Sequence, residues 1–456
     1  MRLDDSAPRG EPFEDDYPHH RHDETCGGLH WAVERQLSEL AQRRYEPAIR
    51  RDILTILKRR RTERGGEFVQ FDVLHREVGF DHLLVSGELL MTREGYEQRG
   101  AQAVLDAHGL TVEDFDCPEL AERVVRLSNR DLDGSTLDDV ARLLRQRGFS
   151  ASVDHIVPLG PVIKGIGGAE PAVGPGPFPE YGLRCGGKPA RVGIIDCGIA
   201  AEIRTDGWLT DIPRGGNIDP LDDLPHPDGY LDLHAGHGTF VAGIVAQVAP
   251  DAEVRVYRAL DSDGLGSELR VAEAMIRAVK DGDCGILNLS LGGQTPDDVP
   301  PVAMSAALDI IADIERERGS KVVIVAAAGN YGDNTPCWPG AFRRVVSVAG
   351  LGPDMQPTTW SSRGHWVTCS TIGQGLRSTY VEGRESAAID PEPDTFPADA
   401  WAIWNGTSFA APQVAGAVAR IAQDLDLTPQ EALVRLLRAG RPVPDFGQAL
   451  RILPGL

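Results

Sequence analysis

Arg191-Val192-Gly193-Ile194-Ile195-Asp196 is the stretch on which the fold turns. Its apolar residues do not alternate with polar ones. That pattern suits a strand covered on both faces, as the strands of parallel sheets are. Asp196 closes the run, and open α/β sheets carry their chemistry at the carboxyl ends of strands. Two other runs repeat the pattern. Lys321-Val322-Val323-Ile324-Val325-Ala326 leads into Ala327-Ala328-Gly329-Asn330, and Ile286-Leu287-Asn288-Leu289-Ser290-Leu291 leads into Gly292-Gly293. The expectation is an α/β domain with a mostly parallel, doubly wound sheet and helices on both faces.

Two longer motifs lie downstream of Asp196. One is His237-Gly238-Thr239-Phe240-Val241-Ala242-Gly243, the other Asn405-Gly406-Thr407-Ser408-Phe409-Ala410-Ala411-Pro412. The small residues after His237 and Ser408 suit helices packed closely on a sheet, with Pro412 expected in the first turn, where no amide donor is lost. The chain order is Asp, His, Ser, one of the orders used by convergent serine hydrolases. A neutral serine hydroxyl is a weak nucleophile and needs a base within hydrogen-bond reach. His237 can take that proton near neutral pH and return it to a leaving amine. Asp196 would hold the imidazole in the useful tautomer.

These three motifs, in this order, resemble those of the subtilisin-like serine peptidases, the subtilases. The resemblance implies peptide-bond hydrolysis through an acyl-enzyme on Ser408, with no cofactor. It implies that Asn330 donates its side-chain amide to the oxyanion. It also implies two substrate-binding edges, Gly264-Leu265-Gly266 on one side and Ser290-Leu291-Gly292 on the other, with Ala328 and Gly329 beside them. A peptide would lie between these edges as an added strand. Cys337, in Cys337-Trp338-Pro339-Gly340, falls near the base of the primary pocket and points to a small or medium apolar substrate side chain.

Several positions depart from the family pattern. Phe240 stands where a histidine is frequent and is expected to pack. Cys197 follows Asp196 where Ser or Thr is commoner, which would make the site sensitive to thiol reagents. His234 precedes His237 by one helical turn and reads as a loop or supporting group. An acidic stretch, Glu382 to Ala400, reads as a solvated loop, the sharper alternative being a rim that selects basic substrates. Asp261-Ser262-Asp263-Gly264 is faintly like a calcium loop, but no metal is assigned to it.

The 456 residues exceed one typical domain. Residues 1–25 read as a disordered acidic tail, in which His19-His20-Arg21-His22 is solvated. Residues 26–163 read as an α+β region, regulatory or prodomain-like by the resemblance. Within it lie a helix from Leu29 to Arg61, interrupted near Pro47 and ending in Lys58-Arg59-Arg60-Arg61, and a strand–helix–strand pattern from Val124 to Val157. Residues 164–180 read as a Gly/Pro-rich linker and 181–456 as the catalytic domain. A net charge of −22 argues against nucleic acid or an anionic membrane as partner, leaving a protein or peptide substrate. Seven scattered cysteines fit free thiols in a reducing compartment. The N-terminal residues show no apolar signal core, so a cytoplasmic location is expected. The oligomeric state is left open. Two readings of function stand: a dedicated processing or signalling protease, or an inactive relative that serves as a binding module.

Overall fold

The structure, a computed structural model, describes residues 30–38, 47–66, 68–76, 80–159, 166–175, 188–390 and 392–456. The acidic tail with His19 to His22, and Gly176-Pro177 of the expected linker, lie outside the described residues.

The larger half is built on an eight-stranded sheet. Its order runs Arg441–Val443, Gly447–Ala449, Cys369–Ile372, Val346–Leu351, Val323–Ala327, Ile286–Leu289, Arg191–Asp196, Glu253–Arg258. All pairings are parallel except the hairpin of the first two strands. Alternate residues of the strands feed two cores, because successive side chains point to opposite faces. Val192 and Ile194 pack with the helices His237–Val248 and Thr407–Leu425. Ile195 and Leu287 pack with Glu268–Lys280 and Val302–Arg318. Both faces are covered, which is why these strands read as continuous apolar runs. The α/β expectation holds.

The smaller half carries an antiparallel sheet in the order Thr111–Glu113, Val124–Ser128, His82–Thr92, Ala151–Pro158, with Phe71–Leu74 also paired to His82–Thr92. The helices Arg99–Ala107 and Gly134–Gln146 cover one face through Val104, Leu105, Leu137 and Leu144. The other face lies on the larger half, where Leu90 and Val124 pack against Leu269, Ala272, Ala303 and Ala307. Ala151–Pro158 then runs on and pairs with Leu265–Ser267, so one sheet spans both halves. No helix among the described residues is long and apolar enough to cross a membrane.

Two expectations need correction. The stretch 164–180 contains the strand Ile166–Ala172, which pairs antiparallel with Trp401–Asn405. It occupies the edge of a three-stranded sheet, where a proline such as Pro171 is tolerated. The acidic stretch near Glu382–Ala400 is only partly solvated, with Glu382 and Glu392 exposed. Glu385 and Asp390 are buried, Asp399 holds Thr205, and Glu392 and Asp394 pair with Arg35 of the helix at residues 30–38. Helices cover residues 30–38 and Pro47–Arg64, and the expected interruption just before Pro47 lies outside the described residues.

Candidate active site

Asp196 ends its strand at the carboxyl edge of the sheet, and His237 opens the helix beside it. Gly238 lets the two approach. A Cβ there would lie 2.0 Å from the Gly198 carbonyl oxygen, so any side chain would push the helix off the strand end. The Nδ1 of His237 sits 2.9 and 3.0 Å from the two carboxylate oxygens of Asp196. Burial of both partners makes this pair rigid; the ring is also packed against Trp404 and Phe409. Phe240 is fully buried against the same two aromatic rings, which is the packing role expected of it.

Ser408 is the second residue of the helix Thr407–Leu425. Pro412 lies inside this helix rather than in its first turn, so it leaves the carbonyl of residue 408 without its helical donor. Ser290 Oγ supplies the missing bond, donating to the Ser408 carbonyl at 2.6 Å, while Asn288 Nδ2 donates to Ser290 Oγ at 2.9 Å. Ser290, expected on the substrate edge, therefore spends its side chain on the backbone of Ser408. Asn330 Oδ1 accepts from both the backbone N–H and the hydroxyl of Thr407, each at 2.9 Å. Its amide nitrogen is thus the end turned away from Thr407. Thr407 Oγ1 also accepts from Gly329 N–H.

The two edges expected to bind substrate already hold a strand, and it is the chain's own. Ile156 stands opposite Ser267, Val157 opposite Gly266 and Pro158 opposite Leu265. Leu159 N–H donates to the Gly264 carbonyl at 3.0 Å, and Gly292 N–H donates to the Pro158 carbonyl at 3.1 Å. Ser408 Oγ donates to the Leu159 carbonyl oxygen at 3.4 Å. Leu159 is buried in the core cluster that includes Leu260, Leu289 and Leu291. A Cβ on Gly292 or on Gly329 would come within 2.9 or 2.8 Å of the Cys337 sulfur, so those three residues crowd one spot. Ala328 is fully buried with Ala349 and Leu351 and lines the core rather than an open surface. That this strand runs on into the cleft was missed in the sequence. Its signal was Ile156-Val157-Pro158-Leu159 standing directly before a stretch rich in glycine.

Cys197 does not make the site open to thiol reagents. It is fully buried, its thiol donates to Asp219 Oδ2 at 3.2 Å, and its sulfur accepts from Gly238 N–H at 3.4 Å. Burial, then the charges of Asp219 and Asp196, push the thiol well above its usual range, so it stays protonated. Burial also raises Asp219 to about 6. His234 is buried, with Nδ1 3.1 Å from the Asp263 carbonyl oxygen and its ring 6.3 Å from that of His237. It props the loop that carries Asp263. Among the described residues no group of three or more His, Cys, Asp or Glu side chains is placed to hold a metal ion.

Comparisons with known proteins identify the family. The sequence profile of the subtilase family (peptidase S8) matches residues 187–439. Subtilisin DY of Bacillus licheniformis is 31% identical over 248 residues, covering 52% of this chain and 77% of that protein. A protein named intracellular serine protease, from Paenibacillus polymyxa, is 27% identical over 277 residues, covering 56% and 76%. Among solved structures, fervidolysin from Fervidobacterium pennivorans, described as a keratinolytic enzyme related to subtilisin, aligns with a TM-score of 0.56 at 18% identity. That alignment covers 83% of this chain and 61% of fervidolysin, so the likeness of fold reaches beyond residues 187–439. The chain belongs to the subtilase family and is a subtilisin-like serine endopeptidase.

Proposed function

We propose that this chain is a self-processing endopeptidase whose first cut is its own Leu159–Gly160 bond, made by Asp196, His237 and Ser408. The observation that carries the reading is the seating of Ile156–Leu159 between Gly264–Ser267 and Gly292, with the Leu159 carbonyl against Ser408 Oγ. In this reading His237 takes the Ser408 proton as the oxygen adds to the Leu159 carbonyl carbon. Asp196, bonded to Nδ1, holds the other ring nitrogen toward the serine and stabilises the imidazolium. Asn330 offers its Nδ2 hydrogens to the oxyanion, kept in that orientation by Thr407. Collapse returns the proton to the amine of Gly160, and water then releases the Leu159 acyl group.

Residues up to 159 restrain the enzyme because they fill the cleft as product or substrate would. Leu159, packed with Leu260, Leu289 and Leu291, stands for the substrate side chain accepted before the cut, an apolar one of medium size. The substrates are proteins or peptides. Buried free thiols and the relative named an intracellular serine protease support a place of action inside the cell.

The test is expression of the full chain and of its Ser408→Ala variant. The active chain should yield two fragments, the larger starting at Gly160 by N-terminal sequencing. Ser408→Ala should remain a single 49.2 kDa chain. Cleavage of the Ser408→Ala chain at Gly160 to the same extent, or a wild-type fragment starting elsewhere, would overturn the reading.

A further inference from the structure

The basic run Lys58-Arg59-Arg60-Arg61 has no part in the chemistry above, yet one of its residues is among the most deeply buried in the molecule. Arg61, near the end of the helix Pro47–Arg64, is fully buried. Its Nε and Nη2 donate to the two carboxylate oxygens of Asp263 at 2.7 and 2.6 Å. Nη2 also donates to Asp261 Oδ2 at 3.2 Å and to the Leu265 carbonyl at 3.0 Å, and Nη1 donates to the Val69 carbonyl at 2.9 Å. This is a fork-on-fork arrangement that a guanidinium makes and an ammonium does not. The acceptors belong to the very loop whose next residues, Leu265–Ser267, pair with the strand in the cleft. Beside the socket, Ile53, Leu54 and Leu57 of the same helix pack on Leu233, Leu265 and Ile389.

The socket is built for a cation. Asp261 has partners of its own in the catalytic half, Arg258 at 3.4 Å and Arg270 at 3.1 Å. The Asp263 carboxylate, apart from Arg61, accepts from Leu265 N–H at 3.2 Å. Once residues up to 159 leave, that carboxylate stands at the cleft edge without its arginine. Any polypeptide entering the cleft would recover the lost charge-assisted bonds by placing an arginine there.

We propose that Asp263, with Asp261 and the Leu265 carbonyl, forms a guanidinium subsite of the processed enzyme. Its substrates are then polypeptides that present an arginine on an apolar helix as well as a segment that enters the cleft. Residues 47–159 are the first such polypeptide, carrying Arg61 and Ile156–Leu159 together. The inference rests on the endopeptidase reading, which supplies the cleft that the socket adjoins.

The experiment uses the full chain after its own processing, with rates expressed per site titrated by a fluorophosphonate. Two substrates are compared. One is Ile-Val-Pro-Leu joined to a fluorogenic leaving group. The other is the same peptide extended upstream by a flexible glycine–serine linker and residues 47–64. The extended substrate should show a kcat/KM at least tenfold higher. That advantage should vanish when its arginine is replaced, as Arg61→Ala or as Arg61→Lys. Asp263→Asn in the enzyme should lower the ratio of extended to short substrate by the same factor, and combining it with Arg61→Ala in the substrate should add nothing. Equal rates for the two substrates overturn the proposal. So does an advantage that survives loss of the arginine, or a fall on both substrates alike in Asp263→Asn. Failure of the short peptide to be cut at all, with fluorophosphonate-reactive sites present, overturns the endopeptidase reading instead and takes the subsite with it.

Discussion

Ser290 and Pro412 act on one atom. Proline at 412 removes the amide that would cap the Ser408 carbonyl, and the Ser290 hydroxyl replaces it at 2.6 Å. A buried carbonyl left without a donor costs about 1–3 kcal/mol. Ser290→Ala should therefore lower stability by about that amount and reduce kcat, because the nucleophile's backbone loses its tie to the strand edge. Pro412→Ala restores an N–H to the same carbonyl, so the double variant should regain most of the lost stability. Denaturant unfolding of the four Ser408→Ala backgrounds measures the cycle without self-cleavage.

Asn330→Ala should lower kcat by about 10²–10³ with little change in KM, since an oxyanion exists only near the transition state; that range comes from this same family. Thr407→Val should reproduce part of the loss. It removes the hydroxyl that donates to Asn330 Oδ1 but keeps the backbone N–H that also does so. Steady-state kinetics on a short leucine peptide separate the two. A rise in KM with constant kcat in Asn330→Ala would recast that residue as a binding group.

Where the chain is cut in the laboratory should matter. A fragment starting at Gly160 keeps the strand Ile166–Ala172 against Trp401–Asn405, the strand that leads into Gly406-Thr407-Ser408. A fragment starting at Tyr181 lacks it and exposes that edge. The first should refold to higher activity than the second, with the difference visible in far-UV circular dichroism and in fluorophosphonate labelling.

Stability should depend on pH, declining from acid toward pH 8. Burial holds Glu268 at about 8, Asp232 at about 7 and Asp219 at about 6, and raises Asp154 well above its usual value. Carboxyls raised in this way stabilise the fold fully below their ordinary values, and that contribution is lost as pH climbs toward 8. Burial depresses His155 to about 3 and His82 to about 4. Their contribution is present above 6.5 and is lost as pH falls toward those values. Four raised carboxyls outweigh two depressed histidines, so the melting temperature of Ser408→Ala should fall as pH rises from 4.5 toward 8. Glu268→Gln should flatten the alkaline limb, and an unchanged limb would show that Glu268 does not titrate there.

The parts legible in the sequence were those fixed by local pattern. Arg191–Asp196 and Val323–Ala327 are apolar along their length because both faces are covered, and the motifs around His237 and Ser408 carry their chemistry in contiguous residues. What stayed hidden depends on contacts far apart in the chain. Ser290 resembled a substrate edge, yet its role is set by Pro412, more than a hundred residues away. Arg61 read as a charge at a helix end, and only the fold brings it to Asp263. Ala151–Val157 was recognisable as a strand, but not as one that continues into the cleft, because register between distant strands leaves no mark in composition.

The chain on either side of Leu159 is anchored in the same molecule. Upstream, Ile156–Pro158 is paired to Leu265–Ser267; downstream, Ile166–Ala172 is paired to Trp401–Asn405. Seven residue steps separate Leu159 from Ile166, a reach of at most about 25 Å. In the proposed self-processing the bond is presented to Ser408 within one folded chain, and its scission should be a first-order event. The half-time of processing should be the same in a dilute and in a concentrated solution, whereas every later turnover must wait on diffusion.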